Sequence, residues 1–254
     1  MDEIKEKMYQ QLAIDYCCNV SDIKNHKNCF VEYRALEGRR RFEEADTCIL
    51  KAIVINGKII FAGEGHVVAA CKQKFSDRPG SWFMDVANFR DLDEILKEEG
   101  YQIKTAHPFF IPCDNRICKM DGVEIKKYNQ KEILQFKGDS RFDEAFCFDR
   151  NSPDVLAVAA IVNHEIVGMA GASADSPYFW QIGINVNKEF EGRHIASGLV
   201  SILKYDILQK GIVPYYGTSF SNLASQHVAI KAGFEVAWVE LITEKMVYNN
   251  SVII

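Results

Sequence analysis

No stretch of this 254-residue sequence approaches the ~18 consecutive apolar residues that a membrane-spanning helix needs. The opening Met1-Asp2-Glu3-Ile4-Lys5 lacks the apolar core of a secretory signal. These two absences point to a cytoplasmic protein without a membrane partner, whose cysteines stay reduced. Charge of one sign is not in excess: 30 Lys+Arg stand against 35 Asp+Glu, a formal net charge of -5. That balance argues against nucleic acid as a partner. The basic run Arg39-Arg40-Arg41 is followed at once by Glu43 and Glu44, and so reads as a solvated, self-neutralising face. The eight cysteines include no pair of C-x-x-C knuckles. Cys17, Cys18, His26 and Cys29 crowd together without a zinc spacing, and Cys113 and Cys118 stand apart, so no metal is expected.

What is present is an ordinary globular composition at a length suited to one large domain or two modest ones. Residues 3 to 15 are amphipathic at helical spacing, with Ile4, Met8 and Leu12 on one face. Ile49 to Ile55 and Ile59 to Ala62 are apolar runs joined by Asn56-Gly57, a strong hairpin signal. His66 to Cys71 reads as a further strand. Asp91 to Glu99 reads as a helix closed by Gly100. Ile103 to Ile111 reads as a strand that Pro108 limits to an edge or a break. Pro112 to Gly122 is the linker candidate. Beyond it come a strand at Val123 to Lys127, a short helix at Lys131 to Phe136, and a hairpin of Val155 to Val162 and Glu165 to Ala172 around Asn163-His164. A strand at Tyr178 to Val186, a helix at Ile195 to Gln209, a strand at Val213 to Tyr216, a helix at Asn222 to Ala232 and a final strand at Glu235 to Met246 complete the pattern. The division expected is residues 1–120 and 121–254. The echo of Ala52-Ile53-Val54 in Ala160-Ile161-Val162 reads as two generic hairpins before it reads as a duplication.

The stretch that carries chemistry runs from Ile184 to Ala196. A strand ends near Val186, a polar turn follows, and a helix begins near Ile195. A helix start exposes backbone N–H groups without internal partners, and its dipole adds positive potential, so it suits a pyrophosphate. Gly192 lets the chain approach a ligand closely, and Ala196 keeps the first turn small. A second element follows at Asn222-Leu223-Ala224-Ser225, opening a helix that Gly233-Phe234 closes. Asn222 and Ser225 share a helical face; they serve equally as helix caps or as the lining of a groove.

Val186, Phe190, Gly192, Ile195 and Ala196, with Asn222, Ser225, Gly233 and Phe234, resemble the paired motifs of the GNAT superfamily of coenzyme A-dependent N-acyltransferases. The resemblance covers about residues 123 to 247. It implies an α/β (α+β) fold in which a mixed, mostly antiparallel sheet is flanked by helices, preceded here by a smaller α/β domain. It also implies acetyl-CoA as cosubstrate and an amine acceptor. Backbone groups of Ile184 and Val186 would hold the pantetheine arm. The amides from Gly192 through Arg193, His194 and Ile195 to Ala196 would hold the pyrophosphate, and Asn222 and Ser225 would touch the cosubstrate from the other side. The cleft would open where strands 180–186 and 213–217 splay apart. Three positions depart from the pattern. Glu191 stands where Gln or Arg is usual, putting a carboxylate near the phosphates. His194 stands where Gly is usual, a substitution that ordinary helical φ tolerates. Ala229 stands where many members carry the tyrosine that protonates the leaving thiolate.

The implied reaction is direct attack of a neutral amine on the thioester. Candidates for its proton acceptor are Glu165 after the hairpin turn, Asp175 in the loop before strand 178–186, and Glu240 in the final strand. Each also has a plain structural reading, as surface, loop cap and strand residue. Tyr215, Tyr216 and Ser225 are candidates to protonate the thiolate. Residues 1–120 carry no phosphate loop and read as an acceptor-side cover or as the contact surface of a homodimer. A noncatalytic acyl-CoA-binding module is the alternative that Glu191 and Ala229 leave open.

Overall fold

The computed structural model describes residues 2–40 and 48–247. Helix α1 (Asp2–Asp15) and the short α2 (Val20–Lys24) lead into strand β1 (Cys29–Glu32), the strands β2 (Leu50–Ile55) and β3 (Lys58–Gly63), helices α3 (Gly65–Phe75) and α4 (Val86–Glu98), and strand β4 (Tyr101–Pro112). Then come β5 (Glu124–Asn129), α5 (Gln130–Ile133), β6 (Asp154–Val162), β7 (Glu165–Ala174), β8 (Phe179–Val186), α6 (Ile195–Leu208), β9 (Val213–Gly217), α7 (Leu223–Lys231) and β10 (Phe234–Lys245). The fold is mixed α/β with mostly antiparallel strands and flanking helices, as the sequence implies. Residues 2–11, 38–40 and 108–237 form one compact unit, and 12–37, 48–107 and 238–247 form another.

In the first unit the strands run in the order β4-β9-β8-β7-β6-β5. All neighbours are antiparallel except β8 and β9. The β6–β7 turn forms because Asn163 and His164 both adopt positive φ, 50° and 69°, the twist that suits a two-residue hairpin. Helix α6 lies on one face. Its Ile195, Leu199, Leu203 and Ile207 recur at helical spacing and are buried against Val158, Ala170, Ala172, Ile182 and Phe234. Burying each such side chain contributes about 1.5–3 kcal/mol, so this face fixes α6, and with it the α6 N-terminus, against β8. The opposite face is covered by α5 and the segment after it, where Phe136, Phe142 and Phe146 pack on Ala157, Ala159 and Met169.

In the second unit β1 pairs parallel to β3, β3 antiparallel to β2, and β2 antiparallel to β10. Helices α3 and α4 cover it through Val67, Cys71, Phe75, Leu92 and Leu96.

Four sequence-based expectations change. His66 to Cys71 is helix, not strand: Val67, Cys71 and Phe75 repeat at i, i+4, i+8 and face Phe61 and Phe83. Helix α4 begins five residues earlier than expected, at Val86 after Asp85. Strand β4 passes through Pro108 without a break; the Pro108 carbonyl still accepts from the Thr218 N–H at 3.4 Å. Arg40 is not solvated. It is 2% exposed, with its guanidinium over the rings of Tyr215 at 5.2 Å and Phe109 at 5.9 Å. Planar Arg stacks favourably on such rings. Arg39 is half-buried, and Arg41, Glu43 and Glu44 lie outside the described residues. The short elements α2 and β1 carry no periodic signal in the sequence. Among the described residues no cysteine forms a disulfide and no His/Cys/Asp/Glu group forms a metal cluster.

Candidate active site

Strands β8 and β9 pair over only three positions: Phe179 with Val213, Trp180 with Pro214, and Gln181 with Tyr215. Past Gln181 no β9 residue pairs with β8 among the described residues. Tyr216 and Gly217 pair instead with Phe110 and Phe109 of β4, while Ile182 to Val186 continue along β7. The two strands therefore part and leave a wedge.

The direction of the freed backbone groups follows from alternation. Asn187 N–H donates to the Val167 carbonyl at 2.8 Å, and Val213 N–H donates to the Tyr178 carbonyl at 2.9 Å. Along β8 the odd-numbered residues thus turn their backbone groups to β7 and the even-numbered ones turn theirs to β9. Beyond the last β8–β9 pair, Ile184 and Val186 present N–H and C=O groups to the open wedge. Their side chains join the α6 face, beside Ile195 and Leu199.

The turn that follows has alternating backbone hand. Gly192 has φ +75° and His194 φ +62°, and Arg193 between them is not in the positive-φ region. Such alternation converges successive N–H groups into an anion-binding concavity. A Cβ at Gly192 would meet nothing within 4 Å, so the glycine serves backbone hand and approach rather than packing. His194 is the N-cap of α6, with ψ 12° and no side-chain cap bond. His194 thus takes the glycine-like hand and not the ordinary helical φ that would tolerate it freely. Histidine is one of the residues that enters this left-handed region more often than most, at a cost of roughly 1 kcal/mol. The Arg193 guanidinium rests over the Phe190 ring at 4.9 Å, and Glu191 is exposed.

Across the wedge, Asn222 caps α7: its Oδ1 accepts from the Ser225 N–H at 3.0 Å. The Ser225 hydroxyl and the Tyr216 phenol are hydrogen-bonded at 2.8 Å. Tyr216 is 2% exposed, with Phe110 and Phe234 against its ring. Burial raises its pKa above the ordinary tyrosine value, the Ser225 bond pulls it down, and the charge of Glu144 pushes it up. Ala229 is fully buried in the same core.

Of the candidate proton acceptors in the first unit, Glu165 opens β7 and Asp175 follows its other end, so the two are not brought together. Asp175 is 5% exposed, accepts from the Ser173 hydroxyl at 2.7 Å and from the Tyr215 phenol. Tyr215 OH also donates to Gln181 Oε1 at 3.2 Å. This network closes the paired end of the wedge. Glu165 is exposed and faces Val162 across the β6–β7 turn. Glu240 belongs to the second unit, where the Trp238 indole N–H donates to it at 2.9 Å.

Asn185, which has no signal of its own in the sequence, stands on the β8 face away from α6 and meets the segment of Glu144 there. Asn185 Oδ1 accepts from the backbone N–H groups of Glu144 at 3.0 Å and Ala145 at 2.7 Å. The available signal was Gly183: an isolated glycine in a strand marks a close backbone approach. A Cβ there would collide with the Glu144 carbonyl.

The sequence pattern described as the acetyltransferase (GNAT) family matches residues 124–234. No curated protein matches the chain. Among solved structures, the chain is similar to a GCN5-related N-acetyltransferase-like protein from Streptococcus suis, with 11% identity, 96% of this chain and 99% of that one covered, and a TM-score of 0.49. It is also similar to a GCN5-related N-acetyltransferase from Kribbella flavida (13% identity, 61% and 64% covered, TM-score 0.46). A third is an acetyltransferase from the GNAT family from Colwellia psychrerythraea (13% identity, 57% and 57% covered, TM-score 0.40). The chain spans less than two thirds of the length of the last two.

Proposed function

We propose that this chain transfers an acetyl group from acetyl-CoA to a primary amine by direct attack, a reading supported by the match of residues 124–234 to the acetyltransferase (GNAT) family. The carrying observation is the open edge of β8, with Ile184 and Val186 aimed at the wedge, beside an α6 N-terminus that no side chain caps. The residues fit a pantetheine pyrophosphate. Backbone groups of Ile184 and Val186 extend the sheet to its amide arm. The N–H groups of Gly192, Arg193, His194, Ile195 and Ala196 face its phosphates, and Gly192 leaves the approach clear. Asn222 and Ser225 border the other side. Bound there, the cosubstrate supplies an activated acyl carbon on a thiolate leaving group.

The chain's own groups then divide the work. The Val186 N–H at the open edge stabilises negative charge on the carbonyl oxygen. Tyr216 holds its phenolic proton and is the donor for the thiolate, in place of a tyrosine at 229. A cytoplasmic setting and an acceptor carrying a free amine belong to the same reading. Ala229, buried where many of the family carry that tyrosine, favours one second reading, a noncatalytic acyl-CoA-binding module.

Calorimetric titration with coenzyme A, followed by assay of thiol release from acetyl-CoA with a panel of primary amines, tests both. Binding with amine-dependent release supports the transferase. Binding without release supports the module. No binding, with no rise in melting temperature at saturating ligand, overturns both.

A further inference from the structure

The face of β8 opposite α6 is built around one short segment. Asn185 accepts from two successive backbone N–H groups, Glu144 and Ala145, and its Nδ2 donates to Asp143 Oδ1 at 3.1 Å. Two glycines make room. A Cβ at Gly183 would strike the Glu144 carbonyl, and one at Gly171, its partner on β7, would strike the Ala145 carbonyl. Asn185 lies two residues past Gly183 on the same face, beyond the last β8–β9 pair. The segment is thus held over the part of β8 that borders the wedge. These bonds fix the backbone of Glu144, and the residue is exposed. The Glu144 carboxylate makes no hydrogen bond or ion pair among the described residues. Tyr216 lies on the α6 and α7 side, and burial first and the charge of Glu144 after it raise its pKa.

We propose, resting on the transferase reading above, that Glu144 is the catalytic base for the acceptor amine and that Asn185 is its positioning residue. The amine nitrogen forms the new N–C bond as the C–S bond breaks with its electron pair on sulfur. One ammonium proton passes to the Glu144 carboxylate, directly or through one water. The thiolate takes a proton from the Tyr216 hydroxyl, which solvent restores. The amine and the thioester thereby meet from two sides of the wedge, and proton removal is kept apart from proton delivery.

The test uses the full chain with the best amine of the panel. Glu144→Gln is expected to lower kcat by about 10²-fold or more with the Kd for coenzyme A unchanged. Glu144→Ala is expected to regain activity with added formate, which a merely structural role would not produce. Asn185→Ala is expected to lower kcat with unchanged coenzyme A affinity and to respond little to formate. Wild-type turnover in Glu144→Gln overturns the assignment alone. So does a slow Glu144→Ala that formate does not rescue. A wild type that binds coenzyme A yet acetylates no amine overturns the transferase reading and this inference together.

Discussion

Gly192 holds φ +75° in open space just before the α6 N-terminus, and Gly192→Asp turns that geometry into a measurement. Nothing lies within 4 Å of a Cβ placed there, so the new side chain costs no packing. Aspartate enters the left-handed region more readily than most residues, and the backbone penalty is about 1 kcal/mol or less. A carboxylate near a helix N-terminus returns roughly 0.3–1 kcal/mol. Stability should therefore stay within about 1 kcal/mol of wild type. Ligand affinity should not. At roughly 6 Å and an effective dielectric of about 40, each phosphate charge meets the new carboxylate with ~1.4 kcal/mol of repulsion. Two charges give close to 3 kcal/mol, or about 100-fold in Kd. Gly192→Asn, which shares the backbone tolerance without the charge, is the control and should lose far less. Calorimetry with coenzyme A gives the affinities, and urea unfolding gives the stabilities. Added salt should narrow the gap between the two variants. A folded Gly192→Asp that binds coenzyme A like wild type would remove the phosphates from this turn, and the reasoning with them.

Tyr216→Phe keeps the ring between Phe110 and Phe234 but removes the proton; kcat should fall by about 10–100-fold with coenzyme A affinity retained. Because burial raises the phenol's pKa above the ordinary tyrosine value, its proton is held through the neutral range. No Tyr216-dependent fall in kcat should appear there, and a tyrosine-dependent fall well below pH 10.0 would contradict the assignment. Asn222→Ala removes the Ser225 N–H acceptor and should cost about 1 kcal/mol in denaturant unfolding. Asn222→Ser, which keeps the cap, separates that cost from any loss of ligand affinity. Lys204 is fully buried in α6, and its ammonium donates to the carbonyls of Asp114 at 2.7 Å and Ala232 at 2.6 Å. Lys204→Met strands both acceptors and should cost roughly 2–5 kcal/mol. A loss under 1 kcal/mol would mean that water reaches them.

Where local chemistry decides conformation, the sequence was readable. Asn56-Gly57 and Asn163-His164 take positive φ at both positions of each pair, and the apolar repeat of Ile195, Leu199, Leu203 and Ile207 becomes the buried face of α6. The turn from Val186 to Ala196 was readable for the same reason: a strand end, a glycine and a helix start lie within eleven residues. Segments whose state depends on distant partners were not. Val67-Val68 favours strand locally, yet Phe61 and Phe83 on the neighbouring sheet and turn select the helix. Arg40 looked solvated beside acidic neighbours, but Tyr215 and Phe109 receive its guanidinium.

From residue 123 onward the sequence by itself determined the order of strands and helices, and along the chain the hairpin turns and the strand–turn–helix from Val186 to Ala196, because each follows from contacts within a few residues. Only the tertiary structure decided that the parting of β8 and β9 falls after Gln181, that His194 adopts the left hand, and that the backbone of Glu144 is pinned to Asn185 of β8. Those outcomes rest on pairings between residues tens of positions apart, such as Asn185 with Glu144 and Tyr216 with Phe110. The energy of such a pairing is realised only once the sheet and α6 have brought the partners together.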